Sequence, residues 1–506
     1  MNELVRFLAV LPERCAMFAD AIAVHGLQQT IAHGWSSFAN RDVAGFLVYC
    51  AEARAYRRAA QTEFVGECFR AVIDESRVSV AEEVVTVESG LWTEMPHTGY
   101  VLLGAPGARV PERTKARLVH CARSQGADLV YCDEIAVAKS GYQTPYLKPE
   151  FSYDLFCFEN YIGPVVLLDA KRARSFLQPG DDLCTGMARM VHAKCSIARV
   201  AGEFVIWERP RPRAYTAQQR QSLASVLGGA APPAAASITV VIPTRDRIDL
   251  LQPCIESVFS ADHAERVTVV VVDNGSVEAP TKTYLQRLAS QQSVQVVEDR
   301  GEFNWSRLNN LGRREAHGDV LLFVNNDIVF HDPQAIARLA AAATVQEVGV
   351  AGIRMHYPNG NLQHAGIVVG IGGFADHVYR GMPCRPDDKH WFVSPYANRN
   401  VLANTGACLA VQAARFDALG GFDEKLVVCG DLDLGLRAHA RGYRNIYLGE
   451  ASVIHHEAAT RKRLSLAKDE LAYMQDVFRR LVPQGDPFYN PSFELSLCYP
   501  IAATTT

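Results

Sequence analysis

No stretch of this 506-residue chain is apolar for long enough to cross a membrane. Its longest apolar runs are about six to eight residues, against the ~18 or more that a spanning helix needs. Nor is there a surplus of either charge. The 51 Lys and Arg nearly balance the 55 Asp and Glu, a net charge of −4, which removes the electrostatic case for a nucleic-acid or acidic partner. No C-x-x-C pair occurs among the thirteen cysteines, an odd number scattered from Cys15 to Cys498. That spacing excludes a zinc ribbon and a disulfide framework and fits reduced thiols packed as small apolar residues. The first twelve residues, Met1 to Pro12, hold a short apolar patch, but Glu3 comes early and no small-residue cleavage site follows. The expectation is a chain without a secretory signal, kept in the cytoplasm.

The residues that are present, 48% of them hydrophobic, read as globular and too many for one core, so two or three domains are expected. Residues 1–80 read as a helical segment, with Ala-rich amphipathic stretches at Asp42–Glu52 and Glu63–Ile73 and no chemistry, suited to packing or partner contact. Residues 81–227 carry short apolar runs (Val84–Val87, Gly99–Leu103, Asp128–Tyr131, Ile197–Trp207) separated by helical ones, and near their end the prolines among Arg209 to Arg213 forbid regular structure. A Gly/Ala/Pro hinge follows at 228–236. Residues 237–460 form the next domain, and 461–506 a C-terminal helix and tail.

After the hinge, strands and helices alternate: Ile238–Pro243, Leu250–Ser260, Val267–Asp273, Thr281–Ala289, Val294–Asp299, Ser306–Ala316 and Val320–Asp327. This spacing predicts βαβ units and a mostly parallel α/β sheet. Polar residues close the successive strands: Thr244 to Asp246, then Asp273 and Asn274, then Asp299, then Asn325, Asn326 and Asp327. Ligands of open α/β sheets bind at that edge. The last group ends the apolar run Asp319–Phe330, and its two amides and carboxylate suit hydroxyls and a metal-bound diphosphate, because hard oxygen ligands suit Mg²⁺ or Mn²⁺. The same run has an echo upstream. Residues 99–110 align without gaps on 318–329 with five identities, and Gly180 to Asp182 correspond loosely to Gly430 and Asp431. The earlier segment therefore reads as a shortened copy in which Pro106, Gly107 and Ala108 replace Asn325, Asn326 and Asp327.

Further motifs follow: Gly406 to Val411, Gly420 to Asp423, Cys429 to Arg437, Arg441 to Arg444 and Ala451 to Glu457. Together with Val240 to Arg247, Val271 to Ser276, Phe303 to Gly312, Tyr357 to Gly360, Gln363 to Gly366 and Asp486 to Pro491, the set resembles family 2 glycosyltransferases of the GT-A fold. More narrowly, it resembles the tandem-module bacterial enzymes of O-antigen and polysaccharide synthesis identified as rhamnosyltransferases. Weaker matches at Tyr131 to Glu134, Tyr146 to Pro149 and Asn160 to Gly163 resemble the first of two modules, here a degenerate GT-A-like one.

The resemblance implies a metal-dependent inverting transfer of a sugar from a nucleotide diphosphate, dTDP-rhamnose or a UDP-sugar, to a growing surface polysaccharide. Asp327 stands in the D-x-D position and implies the metal ligand, with Asn325 nearer ribose or sugar. His455 implies a second ligand, with His456 as the alternative because neighbours on a strand face opposite ways. Asp431 implies the base that takes the acceptor's proton, and Asp433 the cap of its helix or an acceptor contact. Gly406 and Ala407 imply the acceptor side. Pro243, Thr244, Arg245, Asp273, Asn274, Asp299, Asn304, Asn310, Asn325 and Asn326 imply the donor side. Many relatives carry Glu or Asn where this chain has Gly430. Residues 357–384 read as a mobile flap over the acceptor, and Gly370 to Gly373 lack the βαβ context of a dinucleotide fingerprint. The implied partners are a nucleotide sugar, a glycan or lipid-linked oligosaccharide acceptor, and other polysaccharide-assembly proteins at the inner face of the cell membrane.

Three other readings compete. A nucleotidyltransferase would place a Gly-rich loop where Pro243 to Arg247 stand, and a glycoside hydrolase would need no nucleotide loop. A catalytically inactive scaffold fits the first module, which lacks the metal motif, better than the second.

Overall fold

The structure, a computed structural model, describes residues 84–88, 96–137, 143–163, 165–178, 181–208, 212–228, 236–262, 264–386, 392–456 and 466–500. The helical segment expected over 1–80, most of the hinge, and Gly180 lie outside the described residues. The chain forms two compact units, Met1–Gly229 with Gly381–Ser394 and Tyr489–Thr506, and Ala230–Arg380 with Pro395–Phe488.

The first unit holds strands β1 (Val84–Glu88), β2 (Tyr100–Gly104), β3 (Leu129–Val137), β4 (Gln143–Tyr146), β5 (Val165–Asp169) and β6 (Ile197–Trp207). Its helices are α1 (Glu112–Gln125), α2 (Tyr153–Phe158), α3 (Ala170–Phe176), α4 (Leu183–His192) and α5 (Ala217–Leu227). The sheet order is β1-β2-β5-β3-β4, with β6 on β3. A buried polar knot sits inside this unit. Asp133 accepts hydrogen bonds from the Lys148 and Gly202 N–H groups and from Asn490 Nδ2, and Glu134 pairs with Lys148 at 2.7 Å. The motif residues of the first module are thus internal ties of its fold, and a buried carboxylate with this many partners is stable only while all are present.

The second unit holds β7 (Ile238–Thr244), β8 (Val267–Asp273), β9 (Val294–Glu298), β10 (Val320–Val324), β11 (Ile328–Val329), β12 (Val348–His356), β13 (Leu362–His364), β14 (Ile367–Val369), β15 (Ala375–His377), β16 (Arg399–Val401), β17 (Cys408–Gln412) and β18 (Arg444–His455). Its helices are α6 (Ile248–Phe259), α7 (Ala279–Ala289), α8 (Trp305–Glu315), α9 (Ala335–Thr344), α10 (Ala413–Leu419), α11 (Gly430–Ala440) and α12 (Lys468–Leu481). The main sheet runs β11-β18-β12-β17-β10-β7-β8-β9, and β10, β7, β8 and β9 are mutually parallel. This is the mostly parallel α/β architecture expected.

Period-two alternation explains the central strand. Val320, Leu322 and Val324 join one core with Leu251, Ile255 and Leu339, while Leu321 and Phe323 join the other with Leu308, Phe416 and Phe422. Both faces are covered, so each of these side chains contributes roughly 1.5–3 kcal/mol of burial. The strand is shorter than expected. It ends at Val324, because Ile328 N–H donates back to Asn325 O at 3.2 Å and closes a turn over Asn325 to Asp327. The chain then re-enters the sheet as β11, antiparallel to β18. The expected flap over 357–384 is instead built into the fold up to residue 380: β13 joins β12, β14 and β15 form a hairpin, and Ile367 and Val369 pack with Leu432, Leu436 and Met474.

The two sheets share their pairings. β1 and β2 are parallel as β7 and β10 are, β2 and β5 antiparallel as β10 and β17, and β5 and β3 antiparallel as β17 and β12. β3 and β6 are parallel as β12 and β18 are, and β4 flanks β3 as β13 flanks β12. Beyond β2, Arg109 bridges Ile206 antiparallel, as Ile328 pairs with His455 beyond β10. In the alignment of 99–110 on 318–329, Arg109 falls on Ile328 and Ala108 on Asp327. The positions of Asp327 and His455 are therefore held by Ala108 and Ile206 in the first unit.

Candidate active site

The site is assembled at the carboxyl ends of β7 and β10, the turn that follows β10, and the start of α11. In the turn, Asn325 N–H donates to Ala407 O at 2.9 Å, and Asn325 Oδ1 accepts from Trp305 Nε1 at 3.1 Å. Asn326 Nδ2 donates to Thr244 Oγ1 at 3.0 Å, tying the ends of the two strands together. The pairing of Ile328 with His455 then brings Asp327 beside the last residue of β18, with His455 Nε2 3.2 Å from Asp327 Oδ1. Both residues are buried, and His455 Nδ1 has no hydrogen-bond partner. His456 reaches Asp327 only through its backbone N–H, which donates to Asp327 O. Of the two adjacent histidines, the imidazole at the carboxylate is that of His455.

Among the described residues, no group of three or more His, Cys, Asp and Glu side chains is arranged to hold a metal ion. A carboxylate and an imidazole, adjacent and both buried, nevertheless fit a divalent cation that would take its remaining ligands from diphosphate oxygens and water, the usual mode for Mg²⁺ at phosphate substrates.

On the acceptor side, Asp431 Oδ2 accepts from Gly406 N–H at 2.6 Å and Oδ1 from Leu432 N–H at 2.7 Å. Burial pushes this carboxyl up to about 6 despite those two donors. Gly406 precedes the residue whose carbonyl receives Asn325 N–H, so one dipeptide links the metal-side turn to the carboxylate. A Cβ on Gly406 would lie 2.4 Å from the Trp305 ring. One on Gly430 would lie 2.3 Å from Ser306 Oγ, which explains why this chain carries no side chain before Asp431. Asp433 is not the cap of its helix: it is buried and paired with Arg437 at 2.7 Å, and the N-cap of α11 is Cys429, which makes no side-chain cap bond.

The donor-side residues divide into three sets. Arg245, beyond Pro243 at the end of β7, is exposed and without a hydrogen-bond partner. Asp273, Asn274 and Asp299 form a linked group: Asp273 accepts from Ser276 N–H at 2.9 Å, Asn274 Nδ2 donates to Asp299 Oδ2 at 3.0 Å, and the Arg307 guanidinium holds the Asp299 carboxyl below its usual range. Asn274 Oδ1 is buried and unpartnered. Asn304 and Asn310, expected near ribose and diphosphate, are committed to the fold instead. Asn304 caps α8 and donates to Glu424 O at 2.7 Å, while Asn310 brackets the Phe422 peptide from both sides.

Sequence reasoning passed over Trp305, whose indole joins Asn325 and packs on Gly406, although it lay inside a quoted motif. Asp246 was legible only as one of the polar residues that close β7, not by its role. At φ +54° it accepts from Val277 and Glu278 N–H and staples the loop after β7 to the loop after β8. A third, Glu470 of α12, gave no signal, because it acts on a segment 41 and 42 residues away.

Residues 239–367 match the family described as Glycosyl transferase family 2. The chain is 29% identical over 404 residues to the O-antigen biosynthesis protein RfbC of Myxococcus xanthus, covering 73% of this chain and 32% of that protein. It is 30% identical over 417 residues to the uncharacterized protein y4gI of Sinorhizobium fredii, covering 73% and 45%. It is 24% identical over 216 residues to an N-acetylglucosaminyl-diphospho-decaprenol L-rhamnosyltransferase of Mycobacterium tuberculosis, covering 38% and 67%. The chain thus spans less than half the length of the first two relatives. No helix among the described residues is long and apolar enough to cross a membrane.

Proposed function

Given a chain that carries a family 2 glycosyltransferase domain at residues 239–367, we propose that it transfers a sugar, with inversion, from a nucleotide-diphosphate donor to a growing bacterial surface polysaccharide. The observation that carries this reading is the short path from the Asp327–His455 pair through Asn325, Ala407 and Gly406 to Asp431. It sets a cation-binding pair and a carboxylate of raised basicity at one sheet edge, the two groups that a direct displacement at an anomeric carbon requires.

In this reading Asp327 and His455 would hold Mg²⁺ or Mn²⁺, and the cation would supply neutralising charge at the diphosphate. Asp431 takes the proton of the acceptor hydroxyl as that oxygen attacks. With its carboxyl at about 6, the base is ionised at neutral pH yet more basic than an exposed aspartate. Arg245 and the free Asn274 Oδ1 offer contacts to the nucleotide. The relatives' names favour a rhamnosyl donor and an O-antigen or lipid-linked acceptor, which would have the protein work at the inner face of the membrane. The first unit, a reduced copy with Ala108 and Ile206 at the metal positions, serves acceptor or partner binding rather than turnover.

Calorimetry of the full chain against a panel of nucleotide sugars, with Mn²⁺ or with EDTA, tests the reading. Metal-dependent binding of one nucleotide class that is lost in Asp327→Ala is expected. A folded protein that binds no donor would overturn it in favour of the scaffold.

A further inference from the structure

The helix that carries Asp431 begins without a cap of its own, yet its start is not left open. Cys429 is the N-cap residue of α11 and makes no side-chain cap bond. Instead Glu470 Oε1 accepts from Val428 N–H at 2.8 Å and from Cys429 N–H at 2.7 Å. These are amides at the head of α11, where partial positive charge collects. Glu470 stands in the first turn of α12, so the same carboxylate also lies at the N-terminal end of its own helix. It is 6% exposed. The connection is long-range: α12 belongs to the C-terminal region, and its Met474 and Val477 pack with Leu432 and Leu436 of α11.

From this geometry we infer that Glu470 is a positioning residue for the transfer reaction: its carboxyl caps the base-bearing helix from another element. This rests on the reading of Asp431 as the base. Two functions follow from one carboxylate. Its two accepted hydrogen bonds fix the direction in which Asp431 leaves the head of α11, towards Gly406 N–H. Its charge disfavours a second charge nearby, which makes Asp431 a stronger base. The groups facing Asp431 are few. Gly406 and Leu432 N–H donate to it; burial is the main cause that raises it, and the Glu470 carboxylate adds to that in the same direction. Asp433 is turned to Arg437.

Two variants separate reach from charge. Glu470→Gln keeps an acceptor at the same distance and loses the charge, whereas Glu470→Asp keeps the charge and withdraws it by one methylene. Each is compared with wild type and Asp431→Asn for kcat, KM and the pH profile of kcat/KM, with thermal melting to follow the fold. In Glu470→Gln the acidic limb is expected to move to lower pH, because a less basic Asp431 stays ionised further down. In Glu470→Asp the limb is expected to stay in place while kcat falls about tenfold or more from the displaced base, with KM for the donor little changed. An acidic limb of Glu470→Gln that superimposes on wild type overturns the charge role. A folded Glu470→Asp with wild-type kcat overturns the capping role, and that variant decides alone if Glu470→Gln does not fold. Activity that survives in Asp431→Asn is a different failure, that of Asp431 as base.

Discussion

At the scale of single residues, the site turns on which side chains still have chemistry to offer after the fold has used the rest. His455 and His456 are neighbours, but only His455 presents a ring nitrogen to Asp327. Removing a group that hydrogen-bonds to a metal ligand already costs about 10–100-fold in affinity, and removing a ligand itself should cost at least as much. His455→Ala is therefore expected to weaken Mn²⁺ binding tenfold or more in a calorimetric titration, and His456→Ala to leave it near wild type; equal losses would count against the assignment. Asp431 supports a second expectation, with the sign fixed by its shift. Burial moves the carboxyl from 3.8 to about 6, so the native state binds this proton more tightly than the unfolded chain does. Its contribution to stability is then fully present below pH ~4 and is lost as pH rises through about 6, the reverse of a salt-bridged aspartate. Stability measured by urea titration should fall between pH 4 and 7 for wild type relative to Asp431→Asn. A difference between the two proteins that stays flat over that range would mean that the carboxyl is not shifted.

At the scale of elements, the turn after β10 and the glycines around α11 decide whether the groups meet. Gly406→Ala would press a methyl to 2.4 Å from the Trp305 ring, so either the indole leaves Asn325 or the Gly406 N–H leaves Asp431. Overpacking of this kind costs about 1–3 kcal/mol, and kcat should drop with it; wild-type melting and turnover in that variant would show that the packing is slack. The strands that lead here were legible, because a run such as Val320 to Val324, buried on both faces, cannot alternate with polar residues. So was the strand-end placement of Thr244, Asn325, Asn326 and Asp327. The turn itself was not, since Asn325 to Asp327 could equally have continued the strand, and only the long-range pairing of Ile328 with His455 reverses the chain. The contacts of Asn304 and Asn310 within the fold were hidden for a related reason. An amide that binds ribose and an amide that binds the Glu424 or Phe422 peptide look alike in sequence, and these partners lie 120 and 112 residues away.

At the scale of the whole molecule, the repeated strand pairings set a limit on what the first unit can do. The two sheets share their pairings, yet the positions that correspond to Asp327 and His455 hold Ala108 and Ile206, and neither an alanine nor an isoleucine side chain can ligate a cation. The interior of the first unit is tied by polar contacts: Asp133 is held by Lys148, Gly202 and, from the far C-terminal stretch, Asn490, whose Nδ2 lies 3.0 Å from Asp133 and 2.8 Å from Lys148 O. Asn490→Ala should cost about 1–3 kcal/mol, because a buried carboxylate loses a partner that water cannot replace, and the loss would appear as a lower melting temperature. Function should divide in the same way. If only the second unit holds a cation, the full chain binds one metal-dependent nucleotide sugar per molecule, and Asp327→Ala abolishes all of that binding rather than half. Isothermal titration decides between these cases directly. A stoichiometry near one that vanishes in the variant assigns the donor site to the second unit, whereas a stoichiometry near two, or one that survives Asp327→Ala, would mean that the first unit binds donor by a route that needs no Asp and His pair.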